Sequence, residues 1–199
     1  MIPAHIEENL RMFRKETYEI LGAKEHTELK EKKQDGKVNL ICTAQGELLI
    51  FPSPEEHVLP YLDGQKKGTN ACADKFLFKL DQESGTWDLH IMEFKKTIDT
   101  SAIGKSQWQF TMGIYNARAI AGFLGIEVRD IYLYSGFRND KLTGNQSLIT
   151  LRVSNNRDAI KKIQQWKEDK YVLRVDGESR VFPHQKIQLD NEGNGNISI

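Results

Sequence analysis

The chain has 199 residues, of which 39% are hydrophobic and 9% aromatic. This composition is typical of a globular domain with a substantial core and excludes an intrinsically disordered chain. The 28 basic and 28 acidic side chains leave no net charge, so the sequence offers no global attraction to nucleic acid or to an anionic membrane, although a local basic groove is compatible with it.

The N-terminal quarter predicts one helix followed by a β-hairpin. Residues 4–21 carry apolar side chains at helical spacing and predict an amphipathic helix. The charged segment 24–37 ends in an Asp-Gly turn signal and is interpreted as a solvated loop. Two apolar runs follow, and the Gln45-Gly46 dipeptide between them predicts a hairpin of residues 38–44 and 47–53.

The middle of the chain predicts a second hairpin, a long helix and a strand. The apolar runs 71–80 and 86–94 flank the turn-rich sequence DQESG, which predicts that they pair antiparallel. Residues 105–124 form the clearest helix, and their apolar side chains surround most of its circumference, which predicts packing against a sheet. A strand over 127–137 follows.

The C-terminal part predicts a strand over 147–154, a helix over 157–168 capped by Asn155 or Asn156, and late strands within 171–184. The last residues are rich in Gly and Asn, which indicates a flexible polar tail over 191–199. The whole order predicts a single domain over 1–190 of the mixed α/β class, with one mixed sheet flanked by helices.

A glutamate followed two positions later by lysine occurs four times: Glu28-Leu29-Lys30, Glu31-Lys32-Lys33, Glu93-Phe94-Lys95 and Glu168-Asp169-Lys170. Three copies lie in charged surroundings, where a solvated surface is the simpler interpretation. Glu93-Phe94-Lys95 instead ends an apolar run, and the alternation of strand side chains places Glu93 and Lys95 on one face. A salt bridge at the strand end is the alternative interpretation of this copy.

Asp74 lies at the start of the preceding apolar run. If the two runs form a hairpin, the start of the first meets the end of the second, so Asp74 and Glu93 converge. Two converging carboxylates repel each other unless a cation joins them. Hard oxygen ligands select Mg2+, Mn2+ or Ca2+, so this pair is a candidate metal site.

This arrangement resembles the PD-(D/E)xK phosphodiesterases, a superfamily that includes restriction endonucleases and RecB-type exonucleases. Their signature is an Asp on one strand, Glu/Asp-x-Lys on the next, and then a helix packed on the sheet. Asp74, Glu93 and Lys95 match it, as does the helix at 105–124, and the resemblance covers residues 4–135. Ala73 replaces the usual proline, and the helix lacks the Gln and Tyr pair of the RecB-type branch, so the resemblance is to the superfamily.

The resemblance implies a restriction-endonuclease-like core and a Mg2+ cofactor, with Mn2+ as a possible substitute. Asp74, Glu93 and the main-chain carbonyl of Phe94 would hold the metal, and Lys95 would position the attacking water and stabilise developing negative charge. Gln107, chosen over Gln109, completes the expected catalytic set. Further contacts are assigned to an acid on the first helix, Glu7 or Glu8, although an exposed glutamate is the simpler interpretation of each, and to phosphate-binding lysines: Lys66, Lys67, Lys96 and Lys105.

The expected function is Mg2+-dependent hydrolysis of phosphodiester bonds, in DNA in preference to RNA, during prokaryotic or phage DNA processing, defence or repair. A non-catalytic module that binds nucleic acid or protein on the same fold is the alternative, and a structural protein in which Asp74 and Lys95 merely pair is a third. The fold is compatible with a homodimer or a larger assembly.

Other sequence signals are weaker. The five histidines form no zinc motif, and Trp87, Trp108 and Trp166 are interpreted as core or interface anchors. No segment has signal-peptide character or membrane-spanning length, and Cys42 and Cys72 lie in apolar runs without metal-ligand spacing. We therefore expect a cytoplasmic protein with no membrane partner and with two reduced cysteines.

Overall fold

The computed structural model describes residues 1–31, 37–52, 62–142 and 157–199. The turn predicted at the end of 24–37, the strand at 147–154 and the asparagine cap before 157 lie outside the described residues. The described part contains three α-helices and ten strands: α1 (Ala4–Leu10), β1 (Glu19–Leu21), β2 (His26–Glu31), β3 (Val38–Thr43), β4 (Leu48–Pro52), β5 (Lys75–Leu80), β6 (Trp87–Ile98), α2 (Thr100–Leu124), β7 (Val128–Asp140), α3 (Arg157–Lys167), β8 (Lys170–Val175), β9 (Glu178–Gln188) and β10 (Asn194–Ser198).

Two mixed sheets form the framework, which confirms the mixed α/β class. The prediction of a single sheet flanked by helices is wrong, because the small sheet covers one face of the large sheet. The large sheet has seven strands in the order β1-β4-β5-β6-β7-β9-β8, and the small sheet has the order β10-β3-β2. In the large sheet β5 and β6 pair antiparallel, whereas β6 with β7 and β7 with β9 pair parallel. Parallel neighbours need a crossover connection, and α2 supplies it between β6 and β7.

The large sheet is the middle layer of three. Strand β4 illustrates this, because Leu49 and Phe51 belong to the core cluster shared with the helices, whereas Leu48 and Ile50 belong to the cluster shared with the small sheet. Burial of each such side chain contributes roughly 1.5–3 kcal/mol, so both faces of the sheet are stabilised by apolar packing. None of the described helices is long and apolar enough to cross a membrane.

The single helix predicted over 4–21 is wrong beyond its first turns. Helix α1 ends at Leu10, and residues 19–21 form β1, which pairs antiparallel with β4. Between them Phe13 and Tyr18 pack on Phe51, with ring centroids 5.7 and 6.1 Å apart. The apolar residues that follow α1 are therefore buried from a turn and a strand, although their spacing is that of a helix. Pairing with β4 overrides this local periodicity.

The hairpin predicted over 38–53 is also wrong, since β3 lies in the small sheet and β4 in the large one. Strand β4 buries both faces and therefore packs between two layers, which a solvent-facing hairpin does not allow. The segment predicted as a charged loop contains β2, which pairs antiparallel with β3 and buries only Leu29. Main-chain hydrogen bonds to β3 hold β2 in place, and they require no apolar pattern in the sequence.

From β5 onwards the described part of the chain follows the prediction except at its end. The antiparallel β5–β6 pair, α2, β7, α3 and the β8–β9 hairpin are confirmed, with β6 extended to Ile98. Helix α2 begins earlier than predicted, since the Asp99 side chain accepts a hydrogen bond from the Ala102 N–H at 2.7 Å. The tail expected to be flexible forms β10, which pairs parallel with β3 and buries Ile197 and Ile199.

Candidate active site

Asp74 extends the β5–β6 ladder beyond the first residue of β5. Its main-chain N–H donates to the Met92 carbonyl at 2.9 Å, and its Oδ2 accepts a hydrogen bond from the Phe94 N–H at 2.7 Å. The side chain is thus fixed against β6 at the place where the pairing of Lys75 with Met92 ends. The predicted convergence of Asp74 with the Glu93-Phe94-Lys95 triplet is present in the structure.

Glu93 and Lys95 lie on the helix-facing side of β6. Ile91 on that side belongs to the cluster shared with α2, whereas Met92 and Phe94 point into the opposite cluster. Lys95 Nζ forms an ion pair with Glu93 Oε1 and donates to Gln109 Oε1 at 2.8 Å. The glutamate is 1% exposed, so this pair is held out of water at the edge of the core.

The Glu93 and Asp74 carboxyls are both destabilised in their charged forms. Burial raises the pKa of Glu93 to about 8, and the negative charge of Asp74 adds to this rise, while Lys95 and Gln109 oppose it. Burial also raises the pKa of Asp74, against the opposing effects of the Phe94 N–H and Lys95. When both acids are ionised, their negative charges repel each other in a buried place. A bound cation would reduce this repulsion.

The donor set fits a hard divalent cation in part. Glu93 Oε2 is buried and has no hydrogen-bond partner within the described ranges. Carbonyls alternate sides along a strand, so the Phe94 carbonyl points to the same side of β6 as that of Met92, toward Asp74. Across the described residues, no group of three or more His, Cys, Asp or Glu side chains is placed to hold a metal ion. A metal here would therefore need two carboxylates, a main-chain carbonyl and water.

Gln109, rather than the chosen Gln107, reaches the site. Besides accepting from Lys95, Gln109 donates to the Cys72 carbonyl at 3.4 Å and so ties α2 to the segment before Asp74. Gln107 lies about 200° away around the helix, and its side chain makes no hydrogen bond among the described residues. Gly113 is the sequence signal that could have identified the correct glutamine. A Cβ at this position would lie 3.1 Å from the Ala73 Cβ, so Gly113 marks the face of α2 that packs against the strands. Gln109 lies four positions earlier and therefore on the same face.

The acid expected from the first helix does not lie near the site. The Asn9 side chain of α1 donates to the Leu124 carbonyl at the C-terminal end of α2, far along the helix from Gln109. Glu7 and Glu8 are exposed there. The negative charge of Glu31, at the end of β2, instead raises the pKa of Asp74, and no apolar pattern in the sequence indicates this strand.

Three of the four lysines expected near the substrate lie on the site's side of the molecule. Lys66 and Lys67 are exposed in the segment that leads to Asp74, and Lys105 is exposed on α2 one turn before Gln109. Lys96 follows Lys95 on β6, so its side chain starts from the opposite face of the sheet.

Buried polar side chains lie behind Glu93 on the same face of the sheet. Ser135 is paired with Glu93 in register, and its Oγ lies 2.9 Å from His184 Nε2. Burial raises the pKa of Tyr171, the nearby hydroxyls of Ser135 and Ser106 oppose this rise, and the charge of Glu93 adds to it. Sequence patterns did not indicate this group, because its members come from four separate elements.

Comparison with known proteins provides no relative from which a role could be transferred. No family model, no curated protein and no solved structure matches the chain. Its function is therefore inferred from the residues of the site and their geometry.

Proposed function

We propose that the protein is a Mg2+-dependent nuclease with a restriction-endonuclease-like core, which hydrolyses phosphodiester bonds of DNA. The observation that carries this proposal is the convergence of two buried carboxylates, Asp74 and Glu93, with Lys95 at one end of a β-hairpin. Such a buried group is costly to keep without a cation, so its presence argues for a role other than stability.

The order of the elements around the site supports the same proposal. An Asp at the start of β5, the Glu-x-Lys triplet on antiparallel β6 and the crossover helix α2 before parallel β7 follow the signature of the superfamily. The Asp99 cap starts α2 immediately after β6, and close approach at Gly113 seats the helix over the site.

Each residue has a distinct role in this proposal. Asp74 and Glu93 would hold the metal, with the Phe94 carbonyl as a third protein ligand. Bound Mg2+ would lower the pKa of the attacking water and would offset negative charge on the phosphate. Lys95 orients that water and stabilises charge that develops on the phosphate, and Gln109 holds the lysine in position.

A cleavage assay with the full chain tests the proposal. DNA would be incubated with Mg2+, with Mn2+ and with EDTA, and the wild type compared with Asp74→Asn, Glu93→Gln and Lys95→Met. We expect metal-dependent cleavage that falls by about 10²–10³-fold in each variant. Asp88→Asn is the matched control, because it removes a carboxylate from the opposite end of β6, and it should cleave at the wild-type rate. Cleavage that persists in EDTA or in Glu93→Gln contradicts the proposal.

A binding module on the same fold, acting on nucleic acid or protein without cleavage, is the second candidate. The observation that favours it is the ion pair between Lys95 and Glu93, closed by Gln109, which satisfies the lysine within the protein. DNA binding without cleavage under any divalent metal ion distinguishes this function from the first.

A further inference from the structure

Trp108 differs from the other two tryptophans of the chain. Trp87 and Trp166 are buried in the main core, as expected for anchors, but Trp108 is 42% exposed on α2. More than half of the Trp108 side chain is covered, and the rest of the indole is open to a ligand.

A glycine turn supports the exposed indole. Gly68 lies against the six-membered ring of Trp108, so close that a Cβ at position 68 would overlap Cε3 and Cδ2. The turn has a φ of +89° at Gly68, which favours glycine. The Thr69 hydroxyl stabilises it, 2.7 Å from the carbonyls of Asp63 and of Lys66. The indole is therefore held by a shaped backbone surface.

Positive charge surrounds this indole. Lys66 and Lys67 immediately precede Gly68, and Lys105 lies one turn before Trp108 on the same side of α2. All three are exposed, and in the described part of the chain no ion pair engages them. The nearby Asp63 carboxylate accepts a hydrogen bond from the Gln65 N–H at 3.0 Å. The surface is thus an aromatic ring flanked by available cations.

The ring borders the candidate active site. Trp108 precedes Gln109, whose side chain contacts Lys95 and the Cys72 carbonyl. Adjacent Cα atoms are about 3.8 Å apart. The segment that supports the indole at Gly68 also reaches Asp74 within six residues. The indole and the two carboxylates are therefore connected through the same short segment and the same turn of α2.

We propose that Trp108, with Gly68 behind it and Lys66, Lys67 and Lys105 around it, is a stacking platform for an unpaired base. The preferred substrate is then single-stranded or locally unpaired nucleic acid. This inference deepens the proposed nuclease function and rests on it. Inside a duplex the faces of the bases are occupied by their neighbours, so away from the duplex ends an exposed indole can stack only on a base that has left the helix. The lysines provide the matching contacts to phosphates.

Binding assays in EDTA test the platform separately from cleavage. The full chain would be titrated into a labelled single-stranded oligonucleotide and into its duplex. We expect tighter binding to the single strand, weakened about 5- to 150-fold by Trp108→Ala and largely preserved by Trp108→Phe, with little change for the duplex. Phe123→Ala is the control, because Phe123 is a 68% exposed aromatic residue at the other end of α2, and it should bind as the wild type does.

The lysines and the intrinsic fluorescence give independent readouts. The double variant Lys66→Gln/Lys67→Gln should reduce the salt dependence of binding for both forms of DNA. Lys24→Gln, an exposed lysine in the turn before β2, should leave it unchanged. Single-stranded DNA should quench tryptophan emission in the wild type, and Trp108→Phe should abolish that quenching because the other two indoles are buried.

The outcomes separate this inference from the proposed function. If Trp108→Ala binds single-stranded DNA as tightly as the wild type, the platform is excluded even where Glu93-dependent cleavage is found. If binding depends on Trp108 but no metal supports cleavage, the platform stands and the nuclease function fails. If a polyglutamate peptide binds in a Trp108-dependent manner and single-stranded DNA does not bind, an acidic protein partner replaces nucleic acid and overturns the inference.

Discussion

At each end of the β5–β6 hairpin two acids lie around one basic side chain. At the second end that side chain, Arg129, belongs to β7 and also pairs with Asp130. The two sets are Asp74, Glu93 and Lys95 at one end, and Asp81, Asp88 and Arg129 at the other. They differ in their exposure to solvent. The first set is closed beneath α2, whereas the second opens on a surface cleft of about 470 Å³.

This difference in solvation reverses the pKa shifts. Arg129 binds Asp88 through two nitrogens, at 3.1 and 2.8 Å, and contacts Asp81 at 2.5 Å. Its hydrogen bond lowers the pKa of Asp81 to about 2, so this carboxylate is ionised at neutral pH. Burial instead raises the pKa of Glu93 to about 8.

Burial, rather than residue type or cleft size, therefore distinguishes the candidate site from a structural ion cluster. An exposed cluster stabilises its charges with water and with its own partners and needs no further ligand. A buried pair of carboxylates with one lysine keeps an excess negative charge that water cannot stabilise. A bound metal ion would stabilise such a pair more than an exposed one. The acids beside the Arg129 cleft are stabilised by water and by the arginine.

The largest expected effect is a stabilisation by Glu93→Gln in metal-free protein at high pH. The folded-state pKa of Glu93 is raised from 4.5 to about 8, so its contribution to stability is present below pH 4.5 and is lost as the pH rises through 8. Each tenfold change in proton affinity corresponds to about 1.4 kcal/mol. After allowance for the lost ion pair, we expect a gain of about 2–4 kcal/mol near pH 9 and none near pH 4, measured by urea unfolding in EDTA.

The exposed cluster provides the opposite control. The pKa of Asp81 is lowered, so its contribution is present above pH 3.8 and is lost only as the pH falls through about 2. Asp81→Asn should therefore reduce stability by the same small amount at pH 4.5 and at pH 9. A gain for Glu93→Gln that does not vary with pH would show that Glu93 is not destabilised by burial.

The second effect compares two glycines of α2, one packed against the strands and one open to solvent. A Cβ at Gly113 would lie 3.1 Å from the Ala73 Cβ and 3.3 Å from Ile91 Cγ2, whereas one at Gly122 meets nothing within 4 Å. We expect Gly113→Val to lower the free energy of unfolding by about 1–3 kcal/mol through overpacking beside Asp74. Gly122→Val should leave it unchanged within about 0.5 kcal/mol. Equal effects in a denaturant titration would mean that α2 does not approach the strands as described.

The third effect compares the two glutamines of α2. Gln109→Ala removes one of the two acceptors of Lys95 Nζ, the other being Glu93, and the tie to the Cys72 carbonyl. We expect cleavage to slow about 10-fold with an unchanged KM, because the lysine loses its orientation while substrate contacts persist. Gln107→Ala should remain within about twofold of the wild type. The reverse order of the two rates would restore Gln107 to the catalytic set.

The two glutamines also indicate where prediction from sequence ends. Asp74, Glu93 and Lys95 meet through one local hairpin, so strand alternation and the turn were enough to predict their convergence. The rotation of α2 was not predictable, because its apolar residues surround the helix and do not specify which side faces the sheet. The pairing of β10 with β3 joins distant segments through their backbones, and side-chain patterns do not specify such partners.

The smallest expected effect is that of Arg129→Met at the exposed end. This change leaves Asp81 and Asp88 without their shared cation, but both remain close to water, which replaces most of what is lost. The loss of stability should be detectable at low salt and shrink as the Debye length falls from about 10 Å at 0.1 M to about 3 Å at 1 M. The cleavage rate should stay within about twofold of the wild type. A large decrease in cleavage would instead assign part of the active site to this end of the hairpin, and burial would no longer separate the two clusters.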